Sequence, residues 1–259
     1  MRSLWVLRSA VLLGAVAVCA FGAGPAGASG GRTVCPSGGI SHTTIHGGLI
    51  VKGDMLCPID HSTITGGVII TGGSDIDLES SKVLGGVRVR PGGEVEIGAS
   101  LFGGTKTVST VRGGVHLRRP IDWDIESARI FGGVSVRGGV DPQHSPTFCG
   151  NTVYGGMRVR NVTAAITWIG DPTDRLTDVF VCERNRIHGT LRITNSSGFE
   201  VEGNHVTGSV ILRASQVELN GNRIRGSLLC QRGATIMQPE DTSDPHGNTV
   251  RGVNTCRAS

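Results

Sequence analysis

Aromatic side chains are scarce in this sequence, with 1 Tyr, 3 Trp and 6 Phe in 259 residues. Large rings normally dominate the packing of a core, so this one must be narrow enough for small aliphatic chains to fill. Signatures of the commoner chemistries are also missing. There is no His-Glu-x-x-His, no Cys-x-x-Cys pair and no repeated glycine-aspartate calcium nonapeptide. Gly98 to Thr105 begins like a phosphate-binding loop but carries Gly104 where the lysine is required. The eight histidines are scattered, His46 and His188 each standing just before a repeat glycine, and they read as surface or corner residues. No metal and no cofactor is expected.

Glycine is what the chain has in excess: 41 residues, about 16% where about 7% is usual. The glycines do not fall at every third position, which excludes a collagen helix. The many Val, Ile and Leu between them exclude a flexible linker. Residues 1–28 carry Arg2 and Arg8, no acid, an apolar stretch from Val11 to Phe21 and a small-residue step at Ala26-Gly27-Ala28. That is the pattern of a secretory signal peptide, which leaves a mature chain of 29–259 with no transmembrane segment. Loss of its two arginines lowers the 25 Lys and Arg to 23, against 21 Asp and Glu, so net charge alone points to no nucleic-acid partner. Cys19 leaves with the signal peptide. The six remaining cysteines, Cys35, Cys57, Cys149, Cys182, Cys230 and Cys256, are an even set in an exported chain and predict disulfides.

A repeat organises the mature chain. The unit x-x-Ile/Val-x-Gly-Gly-Val-x-Val recurs with its first apolar residue at Ile45, Ile64, Val83, Val111, Ile130, Val153, Ile187, Val206, Ile224 and Val250. The base spacing is 19 residues, lengthened by insertions, the largest running from 161 to 179. Ten short-stranded units of this period predict an all-β, single-stranded parallel β-helix of about ten coils, and the general preference for right-handed crossovers predicts a right-handed coil. Within each unit Val87-Arg88-Val89-Arg90, Val115-His116-Leu117-Arg118 and Met157-Arg158-Val159-Arg160 alternate apolar and polar residues. Some ten residues later a second, acidic alternation follows, as in Asp75-Ile76-Asp77-Leu78-Glu79, Glu94-Val95-Glu96-Ile97 and Asp122-Trp123-Asp124-Ile125. The glycine pairs shape the coil by allowing backbone to bend or approach backbone. Asn151, Asn185, Asn204, Asn222 and Asn248 each lie two residues before an anchor and predict an amide ladder from coil to coil.

Stacking register selects the disulfides. Cys230 and Cys256 each follow an anchor by six residues, so they share one position on adjacent coils, within bridging distance. Cys35 and Cys57 sit in matching contexts, Val34-Cys35-Pro36 and Leu56-Cys57-Pro58, and form a second expected pair. Cys149 and Cys182 also lie on adjacent coils but are offset by one position relative to Asn151 and Asn185. Their pairing is left open.

The closing stretch from Asn222 to Cys230, followed by Gly247-Asn248-Thr249-Val250-Arg251-Gly252 and Cys256, resembles the C-terminal repeat of secreted bacterial β-helical proteins of unassigned function. The short coils are similar to those of bactofilins, which polymerise end to end. These resemblances imply a short-coiled solenoid.

Charge is patterned more specifically than any motif. Outward positions of the first strand supply Lys52, Arg90, Arg118, Arg137, Arg160 and Arg213 in one column and Arg88, Arg158 and Arg192 in the next. Outward positions of the second supply Asp75, Asp77, Glu94, Glu96, Asp122, Asp124, Glu200, Glu202 and Glu218. The expected function is a secreted, extracellular or cell-wall associated binding or structural protein without enzymatic activity, whose arginine columns meet an anionic polysaccharide or other polyanion. The alternative is a carbohydrate-active enzyme, a polysaccharide lyase or hydrolase, using the 161–179 loop, where Trp168 offers a ring to a sugar and Asp171, Asp174 and Asp178 are the candidate catalytic acids. Lateral self-association of a basic face on an acidic one is a third expectation.

Overall fold

The computed structural model describes residues 31–98, 108–140, 143–170, 183–237 and 247–256. These residues form three parallel sheets of ten strands each, wound as a solenoid of about ten turns. Each coil contributes one strand to each sheet. Sheet A contains Val87–Val89, Val115–Arg118, Val134–Arg137 and Met157–Arg160; sheet B contains Asp75–Glu79, Val95–Gly98, Trp123–Glu126 and Ser197–Glu202. Sheet C is built from the anchors themselves, as in Thr110–Arg112, Arg129–Phe131 and Thr152–Tyr154.

The repeat unit read as one strand is therefore two, divided at the glycine pair. Gly113 and Gly114 have φ of 84° and 80°, Gly132 and Gly133 of 105° and 81°, which turn the chain from sheet C into sheet A. Side chains are excluded there by packing as well as by conformation. A Cβ on Gly66 would stand 2.5 Å from the Gly47 carbonyl oxygen, and one on Gly85 2.4 Å from the Gly67 nitrogen. Bare backbone thus stacks on bare backbone from Gly47 to Gly156, and in the later coils Thr190, Ser209 and Ser227 take the second position of the turn.

Register is carried straight up the rod. Val68, Val87, Val115, Val134 and Met157 are successive Cα partners, and all are buried. Aliphatic residues fill most of the interior, as the composition requires, but three rings enter it: Trp123, Phe148 and Phe199 are fully buried on the inner side of sheet B.

At the corner from sheet B to sheet C the asparagine ladder is present. The Asn151 N–H donates to Asn185 Oδ1 (2.9 Å), that of Asn204 to Asn222 Oδ1 (3.0 Å) and that of Asn222 to Asn248 Oδ1 (3.1 Å). Each side-chain amide also reaches the coil before it: Asn185 Nδ2 donates to the Phe148 carbonyl, Asn204 Nδ2 to Ile169 and Asn222 Nδ2 to Val201. Serines continue the ladder in the first coils, where the N–H groups of Thr43, Ser62 and Ser81 donate to Ser62, Ser81 and Ser109 Oγ. The corner dips inward, and its buried backbone donors are satisfied from the neighbouring coil.

Both selected disulfides form. Cys35–Cys57 closes the first coils at a Cα separation of 6.2 Å and Cys230–Cys256 the last at 4.9 Å. Cys149 is buried and disulfide-bonded; Cys182 lies outside the described residues. The stretch read as an insertion loop begins as a strand, Thr163–Gly170 of sheet B, whose register shifts between Thr163 and Thr167. Its inward residues include Thr167 and Ile169, and the threonine hides the period-2 apolar signal. Asp171, Asp174 and Asp178 lie outside the described residues. Among the described residues no helix is long and apolar enough to cross a membrane.

Replacing Asn204 with alanine strips the Ile169 carbonyl of a donor and Asn185 Nδ2 of its Oδ1 acceptor at 2.9 Å. The expected loss is about 1–3 kcal/mol of unfolding free energy, measured by denaturant titration. Arg223→Gln, on the exposed face of the next coil, should stay within about 0.5 kcal/mol of the parent.

Candidate functional site

The rod has faces of opposite charge. On sheet A, Arg118, Arg137 and Arg160 are consecutive Cα partners, and the column continues through Thr194 to Arg213. Arg90 follows Val89, the partner of Leu117, and so stands beside Arg118. Two residues upstream runs Arg88, His116, Ser135, Arg158 and Arg192, so His116 and Ser135 separate Arg88 from the other arginines. All of these arginines are exposed except Arg213, which is half-buried. Among the described residues no carboxylate pairs with any of them.

Sheet A meets sheet C along the glycine corner, and the missing side chains leave an open groove of about 540 Å³. Its floor is Gly132, Gly133, Gly155 and Gly156, and His116, Ser135, Arg158 and Arg192 rise on the sheet A side. On the sheet C side, one residue before the corner glycines Gly132, Gly155 and Gly189, Phe131, Tyr154 and His188 form an exposed stack. Their ring centroids are 4.7 and 4.8 Å apart and their planes lie within 6° of parallel, with the Arg112 guanidinium 5.9 Å from the Phe131 centroid. Rings stacked along the rod cover one another's faces and turn their edges to solvent. A sugar ring therefore has no open aromatic face within the stack.

Sheet C is also basic, which the strand-by-strand reading missed because it assigned the anchors to sheet A. Arg129, Thr152, Arg186, His205 and Arg223 are successive partners. Burial, then the neighbouring Arg225, Arg223 and Arg186 guanidinium groups, hold the His205 imidazole below its ordinary value. Positive potential thus extends across two of the three faces.

Sheet B carries the opposite charge. Asp77, Glu96 and Asp124 are consecutive partners, and Glu79 and Glu126 flank that column. Partial burial first, then repulsion from Glu79, Asp75 and Asp60, pushes Asp77 up to about 6. Glu96 is an exposed residue, yet desolvation by partial burial of its carboxyl and then Asp77 and Asp124 raise it to about 7. Asp124 rises to about 6 through burial and then repulsion from Asp122, against a hydrogen bond from the Thr147 N–H (2.8 Å). At the edge of this group His144 Nδ1 lies 2.7 Å from Asp122 Oδ2.

Trp168 belongs to the acidic sheet. It stands between Thr147 and Glu200 in register, half-buried, with its indole N–H donating to Glu200 Oε2 at 2.7 Å. It is held in the wall of the rod and does not join the arginines. No family model, no curated protein and no solved structure matches the chain.

The raised carboxyls give stability a definite pH dependence. The native state binds more protons than the unfolded chain between the ordinary carboxylate pKa, near 4, and the native values of about 6 to 7. Stability should therefore fall as pH rises through that window. Thermal melts are expected to show a Tm at pH 5 several degrees above that at pH 7.5, and Glu96→Gln should raise the Tm at pH 7.5 and flatten the dependence. A Tm that climbs steadily from pH 5 to 7.5 would contradict the like-charge ladder.

Proposed function

We propose that the protein is a secreted, non-enzymatic binding rod that lays an anionic polysaccharide along sheet A, with the glycine groove as the track between its two basic faces. The observation that carries the reading is the column Arg118, Arg137 and Arg160, in direct register, exposed, and without a carboxylate partner among the described residues. Like charges held opposite one another on neighbouring strands are unfavourable by a few tenths of a kcal/mol each. An extended polymer with regularly spaced carboxylates relieves that repulsion, because a guanidinium fork binds a carboxylate bidentately. Several weak contacts along one chain then act together. The two disulfides support export to an oxidising compartment. Edge-on rings beside the groove favour recognition by charge over stacking on sugar faces.

Binding of the mature chain to polygalacturonate should weaken steeply as salt is raised from about 50 to 500 mM, since exposed charge contacts are screened. Changing Arg118, Arg137 and Arg160 together to glutamine should lower affinity by about tenfold or more while leaving the Tm nearly unchanged. Tyr154→Ala should matter much less. A triple variant that binds as well as the parent, or a parent that binds no polyanion at low salt, would overturn the proposal. Salt-sensitive dimers in sedimentation, with no glycan binding, would instead assign the basic faces to a second copy's sheet B.

A further inference from the structure

The repeat places two histidines at one corner of adjacent coils, far from the arginine columns. His42 and His61 both follow sheet B, in Ile40–Ser41 and Leu56–Asp60, and both adopt left-handed backbone, with φ of 50° and 45°. Their rings stack at 5.0 Å between centroids with planes 6° apart. We infer that His42 and His61, supported by Asp60, bind one borderline divalent transition-metal ion of the Zn²⁺, Ni²⁺ or Cu²⁺ type.

The hydrogen bonding around the rings favours coordination through Nε2. The His61 Nδ1–H donates to Asp60 Oδ1 at 2.5 Å, and Ser41 Oγ lies 2.7 Å from His42 Nδ1. A histidine whose Nδ1–H is held by an oxygen keeps Nε2 as its lone-pair donor, and a carboxylate in that role orients the ring and raises its basicity. His42, Asp60 and His61 each offer a ligand atom within 4.8 Å of the other two. Metal–nitrogen bonds of about 2.0–2.1 Å need the two Nε2 atoms about 4 Å apart or closer. The imidazoles are exposed, and reaching that distance takes a tilt of the two rings toward each other. Asp60 pairs in register with Ser41 on one side and Glu79 on the other, so the nearest fixed charges are negative. Nitrogen donors select Zn²⁺, Ni²⁺ or Cu²⁺ over Ca²⁺ and Mg²⁺, which prefer oxygen.

The corner itself does not call for histidine. The equivalent position is Ser80, Ser127, Gly150, Gly203 or Gly221 in other coils, and glycine takes that backbone with least strain. Nor did the sequence suggest a site, because residues 19 apart have no ligand spacing on any single element. Stacking alone brings them together.

Calorimetric titration of the mature chain with Zn²⁺ and with Ni²⁺ at pH 7.5 should show one ion bound per chain and no heat with Ca²⁺. His42→Asn and His61→Asn, which keep a residue tolerant of left-handed backbone, should each weaken binding about tenfold or more while the metal-free Tm stays unchanged. Cu²⁺ added to the parent should give an electron paramagnetic resonance spectrum with two equivalent nitrogens, reduced to one in either variant. Absence of binding by the parent, or equal binding by the double His42→Gly/His61→Gly variant, would overturn the site.

Discussion

Every coil of this protein rests on the coil below it, position upon position, at the strand spacing of about 4.8 Å. A solenoid of this kind has no other long-range contact on which to fall back: each coil touches only its neighbours, and no coil encloses a core alone. The glycine corner shows how strict the constraint is. A single Cβ at Gly66 or Gly85 would meet the backbone of the preceding coil, so side chains are excluded at those positions, where the chain turns from sheet C to sheet A. The Asn and Ser ladder applies the same rule to polar groups, since each buried N–H at the other corner finds its acceptor one coil away. At the two ends, where stacking stops, disulfides stand in for the missing neighbour.

Strict register turns any outward residue that recurs from coil to coil into a column. Arginines become a basic face, carboxylates become an acidic one, and rings become the Phe131, Tyr154 and His188 stack. Partial burial first, and then like charge within the same column, make the carboxyls of sheet B hold protons more tightly, and charge of one sign is not neutralised within the arginine column of sheet A either. The same principle pairs His42 with His61. The patterned surfaces of this rod arise from repetition of outward residues from coil to coil.

Much of this was legible in the chain itself. Ten anchors near a 19-residue period implied the coils; equal offsets from Ile224 and Val250 implied the Cys230–Cys256 bridge; the asparagines two residues before each anchor implied their ladder. Three things were not legible, each for a physical reason. A glycine pair permits either a bend within a strand or a corner between two sheets, and only the stacked backbone decides, so the basic face of sheet C went unseen. Serines at Ser62, Ser81 and Ser109 do the work of asparagine with shorter side chains, which breaks the letter pattern while keeping the hydrogen bonds. Trp168 looked like a loop residue because Thr167 faces inward where an aliphatic residue would have marked the strand.

The central claim is that register makes sheet A one continuous binding track, and its length can be measured. From Arg88 and Arg90 to Arg213 the column spans six consecutive coils, about 24 Å at the strand spacing. Affinity for galacturonate oligomers of defined length, followed by calorimetry at low salt, should therefore rise with each added residue until the oligomer reaches about 24 Å, then level off. An affinity that is already maximal for a disaccharide, or that does not depend on length at all, would contradict the track and reduce the arginine columns to separate solvated charges.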